Sequence, residues 1–432
     1  MNTLVSEYQN KLTSPEKAVE IIPAKGSIVV GITIVEPPAI LNAIAERARS
    51  NGFEKLLVYT FNPQKYLTDS LLKPDLVDCV RTRAWFVSGP IRGLVKVGLI
   101  QFVPSYFHEI PRLIRDMNVD TLITAVSPMD KSGYFSCCAA SYVIDAARKA
   151  KNVIVEVNEN IPRVFGDTLI HVSDVAAIVE NHVPLLESKI PEKKPEDAII
   201  GKEIAALIPD GAVLQLGIGG LPNAICDYLT DHKDLGIHSE LIGPGMIDLI
   251  KKGVITGRRK QLHPFKHVFG IPYGTKADFD FINDNISMES YSADYLMDPC
   301  VIGQNDHMIS VNSILEVDLT GQCNAESISG SQFSGTGGQV DFVRGAYRSK
   351  GGKSILAFYS TAKGGSISRI VPQLKHTSVT TPRVDVHYLA TEHGIVCLKG
   401  KSTEERAIAI AGLAHPNFRE DLMRKAEEMG LL

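Results

Sequence analysis

The sequence predicts an α/β protein built from two related tandem domains, and three observations carry that prediction. Strand-like apolar runs alternate with helical stretches along the whole chain, as parallel-sheet domains require. The plan of the first half recurs in the second. Between the halves lies a segment rich in proline and charge. Residues 22–43 read as a buried strand ending Ser27-Ile28-Val29-Val30-Gly31, a short interval, and a helix opened by Pro38. Residues 208–225 repeat this as Ala212-Val213-Leu214-Gln215-Leu216-Gly217 followed by a helix whose first turn holds Pro222. Proline suits a first helical turn because its missing N–H would have no partner there. Further along, Met129-Asp130-Lys131-Ser132-Gly133 matches Val317-Asp318-Leu319-Thr320-Gly321. Ala147–Lys151, leading to the strand Val153–Val157, matches Tyr347–Lys350, leading to Ser354–Tyr359. His171-Val172-Ser173-Asp174 matches Leu389-Ala390-Thr391-Glu392. Four matches in register predict an internal repeat.

Helices are expected at Pro38–Ser50, Tyr142–Ala150 and Leu221–Thr230. The stretch 184–197 is a linker by composition, so a boundary is placed near residue 190, with domains at 1–190 and 191–432. Ser402-Thr403-Glu404-Glu405 has capping-box spacing before an apolar-periodic helix, and a last amphipathic helix ends near Gly430.

Composition narrows the function. The chain has 432 residues, 44% hydrophobic and 22% charged, with a formal charge of −4, which suits a soluble protein without nucleic-acid partners. No apolar run is long enough to span a bilayer, and the start lacks a signal-peptide pattern. Seven cysteines include no C-x-x-C pair, which points away from a metal site and towards a reducing cytoplasm.

Candidate chemistry is sought where one copy has what the other lacks. Gly217-Ile218-Gly219-Gly220 follows a strand, but Pro222 breaks a dinucleotide fingerprint. A bare G-x-G is ordinarily a tight turn; the sharper reading is a loop presenting backbone N–H groups to an anionic oxygen. The first copy has Gly31-Ile32-Thr33 there, so the enrichment is one-sided. Ser334-Gly335-Thr336-Gly337-Gly338-Gln339 allows close approach of a ligand, or is a flexible surface loop. Thr361-Ala362-Lys363-Gly364-Gly365 adds a cation, for a phosphate or as a solvated hairpin. Glu240 ends the strand-like Leu235–Glu240, where an α/β domain would place a nucleophile, although a lone strand-end Glu is ordinarily a surface charge. Its rivals are weaker. Glu289 lies in an acidic patch, and Glu392 has a counterpart in the other copy, which suggests a helix cap.

These residues resemble the class I coenzyme A transferases, in the acetyl-CoA hydrolase/transferase branch that includes 4-hydroxybutyrate CoA-transferase. The resemblance rests on Val35-Glu36-Pro37-Pro38, Glu156-Val157-Asn158, Leu235–Glu240, Gln332–Gly345 and Thr391–Ile395, and runs over nearly the whole chain. It implies an active site between the halves and a catalytic glutamate at Glu240. Backbone oxyanion donors are implied at Gly217, Gly219, Gly220 and Gly338. CoA contacts are implied at Gly335, Gly337, Gly338, Gln339, Lys363 and Gly364. CoA is then a substrate alongside a small carboxylate, no cofactor or metal is needed, and a homodimer is expected. Relatives follow the glutamate with Met, two residues and Asp-Gly, whereas Leu241-Ile242-Gly243-Pro244-Gly245 stands here. That departure leaves the acid substrate open. An acyl-CoA hydrolase and a non-catalytic CoA-ester-binding protein are the alternatives.

Overall fold

The computed structural model describes residues 3–188 and 192–432. They divide into two compact units. The first comprises residues up to 188 with Val268–Leu296 and Phe333–Gly335, and the second comprises the rest. The expected boundary at residue 190 lies outside the described residues.

In the first unit seven strands form one sheet in the order Ala177–Glu180, Asn152–Val157, Thr121–Val126, Lys25–Val30, Lys55–Thr60, Val80–Ala84 and Ile100–Phe102. Every pairing is parallel. The interior strand Thr121–Val126 is buried along its whole length, as expected for a sheet covered on both faces. The helix Pro38–Arg49 follows the first strand, with proline at its start. It packs Ile40, Leu41 and Ile44 into the core with Ile28 and Val30.

The second unit repeats this order. Its strands run Tyr388–Thr391, Lys353–Ala357, Met308–Ser313, Val213–Leu216 and Gly236–Ile242, all parallel. Gly394–Cys397 adds an antiparallel edge. The repeat extends to hydrogen bonds. Asp130 Oδ1 accepts from the N–H groups of Ser132 and Tyr134 at 2.8 and 2.9 Å, and Asp318 Oδ1 from those of Thr320 and Gln322 at 3.0 and 3.1 Å. Each turn closes on a glycine with positive φ, 87° at Gly133 and 94° at Gly321.

Several boundaries differ from the sequence expectations. The helix Pro195–Ala205 begins inside the presumed linker, because Asp197 takes the Lys194 N–H and completes a helix start. The strand holding Glu240 continues to Ile242, so Glu240 precedes its end. Glu392 caps no helix: it sits in the hairpin between Tyr388–Thr391 and Gly394–Cys397, and its carboxylate accepts from the Ser360 N–H and hydroxyl. The capping box at Ser402 forms as expected, with Ser402 N–H donating to Glu405 Oε2 at 2.7 Å.

Candidate active site

The parallel register Val213–Gly236 and Leu214–Ile237 sends the ends of both strands to the same edge. The Gly217–Gly220 loop and Glu240 therefore emerge side by side, and Ile218 reaches to within 3.7 Å of where a Gly243 side chain would begin. Gly219 has φ 125°, a backbone open to glycine, and leads into the helix Gly220–Asp227. No atom lies within 4 Å of a Cβ placed on Gly219, so that face of the loop is open.

Glu240 is met from across by the second glycine segment. Gly338 N–H donates to Glu240 Oε2 at 2.8 Å. A Cβ on Gly338 would stand 2.5 Å from that oxygen and 3.1 Å from Met297 Sδ, so the approach requires glycine. Burial pushes the Glu240 carboxyl up to about 7 against the pull of the Gly338 N–H, and the Asp341 charge adds to the rise. Gly338 opens the helix Gln339–Arg348. The start of this segment is anchored on two sides: the Thr336 hydroxyl bonds Glu326, and Gln339 Nε2 donates to Thr381 at 3.0 Å.

The other predicted residues fall into separate surroundings. Gly335 groups with the first unit and is buried, its Cβ position 3.1 Å from both the Phe86 ring and the Trp85 carbonyl. Its neighbour Phe333 accepts from Arg92 Nε at 2.7 Å and lies under the guanidinium. Gly337 has φ 55°, the turn that brings Gly338 round to Glu240. Lys363 and Gly364 form the tight turn of a hairpin between Thr361–Ala362 and Ile367–Ser368. That turn also lines a pocket of about 500 Å³ with Lys194, Tyr359, Arg369 and His393, and Glu240 is not in its wall. Glu289 belongs to the first unit and accepts from the Tyr291 hydroxyl at 3.0 Å.

The Gly243-Pro244-Gly245 departure has a structural reading. Pro244 is the first residue of the helix Pro244–Lys251. Gly245 lets that helix press on Gly220–Asp227, since a Cβ there would come within 2.9 Å of Asn223 and 3.0 Å of Cys226.

Two buried carboxyls, Glu36 and Glu156, hold helix starts that no local sequence signal marks. Glu156 Oε2 accepts from Ala39 and Ile40 N–H at 2.9 and 3.0 Å, and so holds the start of the helix Pro38–Arg49. Glu36 accepts from Gln64 and Leu67 N–H at 2.6 and 3.1 Å and holds the start of Lys65–Ser70. Their partners lie too far along the chain for spacing to reveal them.

A half-buried carboxylate with an elevated pKa, a backbone donor on one oxygen and an open glycine loop beside it is equipped for acyl exchange. Comparison with known proteins identifies the class. The chain matches the acetyl-CoA hydrolase/transferase N-terminal domain over residues 2–187 and the C-terminal domain over 274–426. It belongs to this family and is a CoA-transferase acting between acyl-CoA and carboxylates. It is 43% identical to the succinyl-CoA:cyclohexane-1-carboxylate CoA transferase of Geobacter metallireducens, over 98% of this chain and 96% of that protein. It is 44% identical to the 4-hydroxybutyrate coenzyme A transferase of Clostridium kluyveri, over 97% of each. The crystal structure of RipA from Yersinia pestis superposes with a TM-score of 0.96 at 44% identity, covering 99% of this chain and 100% of RipA.

Proposed function

We propose that this chain moves CoA between a short-chain acyl-CoA and a small carboxylate of the acetate, butyrate, 4-hydroxybutyrate, succinate or itaconate class, by ping-pong chemistry through a glutamyl-CoA thioester on Glu240. The Gly338 N–H aimed at Glu240 Oε2 at 2.8 Å carries this reading. Glu240 attacks the thioester carbonyl, forming a mixed anhydride and releasing CoA thiolate. The thiolate then attacks the glutamyl carbonyl, the first acid leaves, and Glu240 is left as its CoA thioester. The acceptor acid reverses both steps. Each addition places negative charge on a former carbonyl oxygen, which backbone donors at Gly338 and at Gly219 and Gly220 are suited to receive. Lys363, Gly364 and the 335–339 segment are the proposed CoA contacts. Exchange between two carboxylates is nearly isoenergetic and calls for no electron carrier or Lewis acid.

The test is to incubate the enzyme with acyl-CoA, trap with hydroxylamine or borohydride, and map the modified peptide. Modification is expected on Glu240, and Glu240→Ala is expected to lose at least about a thousandfold in exchange while still binding the CoA ester. Modification at Glu289 or Glu392 would overturn the assignment. Free thiol released without any acceptor acid would instead identify a hydrolase.

A further inference from the structure

One carboxylate joins the Gly217–Gly220 loop to the pocket that Lys363 and Gly364 line. Asp197 is 1% exposed, and both of its oxygens are engaged. Oδ1 accepts from the Tyr359 hydroxyl at 2.7 Å, and Oδ2 accepts from the Lys194 N–H at 2.8 Å. The same Oδ2 lies 2.7 Å from where a Cβ on Gly220 would stand. Gly220 has no positive φ, so this contact, and not its backbone conformation, calls for glycine there. Gly220 opens the helix Gly220–Asp227, and a carboxylate beside a first helical turn is favoured by the helix dipole.

Tyr359 meets the pocket at its other end. Its ring lies in the wall of the cavity of about 500 Å³, with Lys194 Nζ 4.5 Å and Arg369 Cζ 5.9 Å from the ring centroid. Lys194, Lys363 and Arg369 face two carboxylates in that wall, Glu196 and Glu392, and Glu392 already accepts from Ser360. The surplus of cations beside an aromatic face suits a ligand that carries phosphates. All of these residues belong to the second unit. An anion that draws Lys194 or Arg369 towards itself moves them against the Tyr359 ring. The hydroxyl carries that displacement to Asp197, whose planar carboxylate moves as one body, and so to Gly220. Each step is a direct contact, as physical coupling through a close-packed interior requires.

We propose that Asp197 is a positioning residue, which couples the seating of the phosphate-bearing end of CoA in this pocket to the placement of the Gly219 and Gly220 N–H groups. The proposal rests on reading Lys363 and Gly364 as CoA contacts and the Gly217–Gly220 loop as an oxyanion donor. Interaction with a part of the substrate remote from the thioester then appears as a lower barrier and not only as tighter binding.

Acyl-pantetheine has the same thioester without the phosphates, and it separates coupling from mere structure. Turnover is measured with acyl-CoA and with acyl-pantetheine for the wild type and Tyr359→Phe, beside a thermal melt. The substitution removes the hydroxyl, keeps the ring beside the cations and leaves the Lys194 N–H bonded to Asp197. The ratio of kcat for acyl-CoA to kcat for acyl-pantetheine is expected to fall roughly tenfold, the effect of losing one hydrogen bond to a charged group. A purely structural bond would lower both rates together, so an unchanged ratio overturns the proposal. Should Tyr359→Phe fail to fold, the wild type answers alone. Adenosine 3′,5′-bisphosphate, a detached phosphate-bearing fragment, is expected to speed its turnover of acyl-pantetheine several-fold, and inhibition or no effect overturns the coupling. Equal kcat for the two substrates in the wild type also overturns it, while leaving Glu240 as the nucleophile. Absence of any exchange with acyl-CoA overturns the proposed function itself, and this proposal with it.

Discussion

Gly338 shows how a single missing side chain serves a site. Its backbone, at φ −90° and ψ 7°, is one that any residue adopts, so glycine is not demanded by conformation. It is demanded by Glu240 Oε2, 2.5 Å from where the Cβ would stand. Gly338→Ala is therefore expected to fold with little change in melting temperature, yet to displace the carboxylate and its backbone donor together. Loss of a donor of this kind lowers kcat by roughly a hundredfold to a thousandfold. Steady-state assays beside a thermal melt check this, and near-wild-type kcat would show that the contact does not matter to turnover. Glycine density pointed to this segment and the resemblance implied a backbone donor at Gly338, but the need for a missing side chain there shows only with Glu240 Oε2 opposite it.

At the scale of elements, the helix Gly220–Asp227 is held by glycines on two neighbours. Gly245 admits it on one side. On the other, a Cβ at Gly201 of the helix Pro195–Ala205 would lie 3.0 Å from the Ala224 carbonyl carbon and 3.1 Å from the Ile225 nitrogen. Backbone cannot retreat as a side chain can, so Gly201→Val must push the helices apart. Overpacking of this sort costs about 1–3 kcal/mol. The variant is expected to melt several degrees lower and to lose activity beyond that, because the Gly217–Gly220 loop is carried by the displaced helix. Full kcat in the folded variant would separate the loop from the packing. The repeat was legible because its signals are local: strand, glycine turn and Asp-anchored turn each occupy a few consecutive residues. What was illegible depends on distance along the chain. Glu156 and Ala39 are 117 residues apart, and nothing local marks their hydrogen bond. The grouping of Phe333–Gly335 with the first unit is equally nonlocal. The stretch 184–197 reads as a linker and the strand as ending at Glu240 because charge and glycine content mask the capping bond that starts a helix at Pro195 and the ladder that continues to Ile242.

Across the whole molecule, three carboxyls with raised pKa values, Glu36, Glu156 and Glu240, set activity and stability against each other in pH. Burial pushes Glu36 up to about 8 and Glu156 up to about 7, in each case outweighing the N–H donors that favour the charged form. Both sites therefore hold a proton in the fold at pH values where the unfolded chain, with its carboxyls near 4.5, has lost it. The native state then binds more protons, so stability is full below about 4.5 and declines as pH rises towards 7 to 8. For Glu156 alone the shift from 4.5 to about 7 corresponds to roughly 3 kcal/mol. Glu240 works in the opposite sense for catalysis, because only its carboxylate attacks: kcat/KM is expected to climb with pH up to about 7 and then level. Melting temperatures between pH 5.5 and 8.5 should fall as initial rates rise. Glu156→Gln is expected to flatten the stability slope without moving the rate profile, since its amide oxygen can still accept from Ala39 and Ile40 and the residue lies in the other unit from Glu240. An unchanged slope in that variant would mean that Glu156 is ionised in the fold, with its three donors, including Asn181 at 2.7 Å, outweighing desolvation after all.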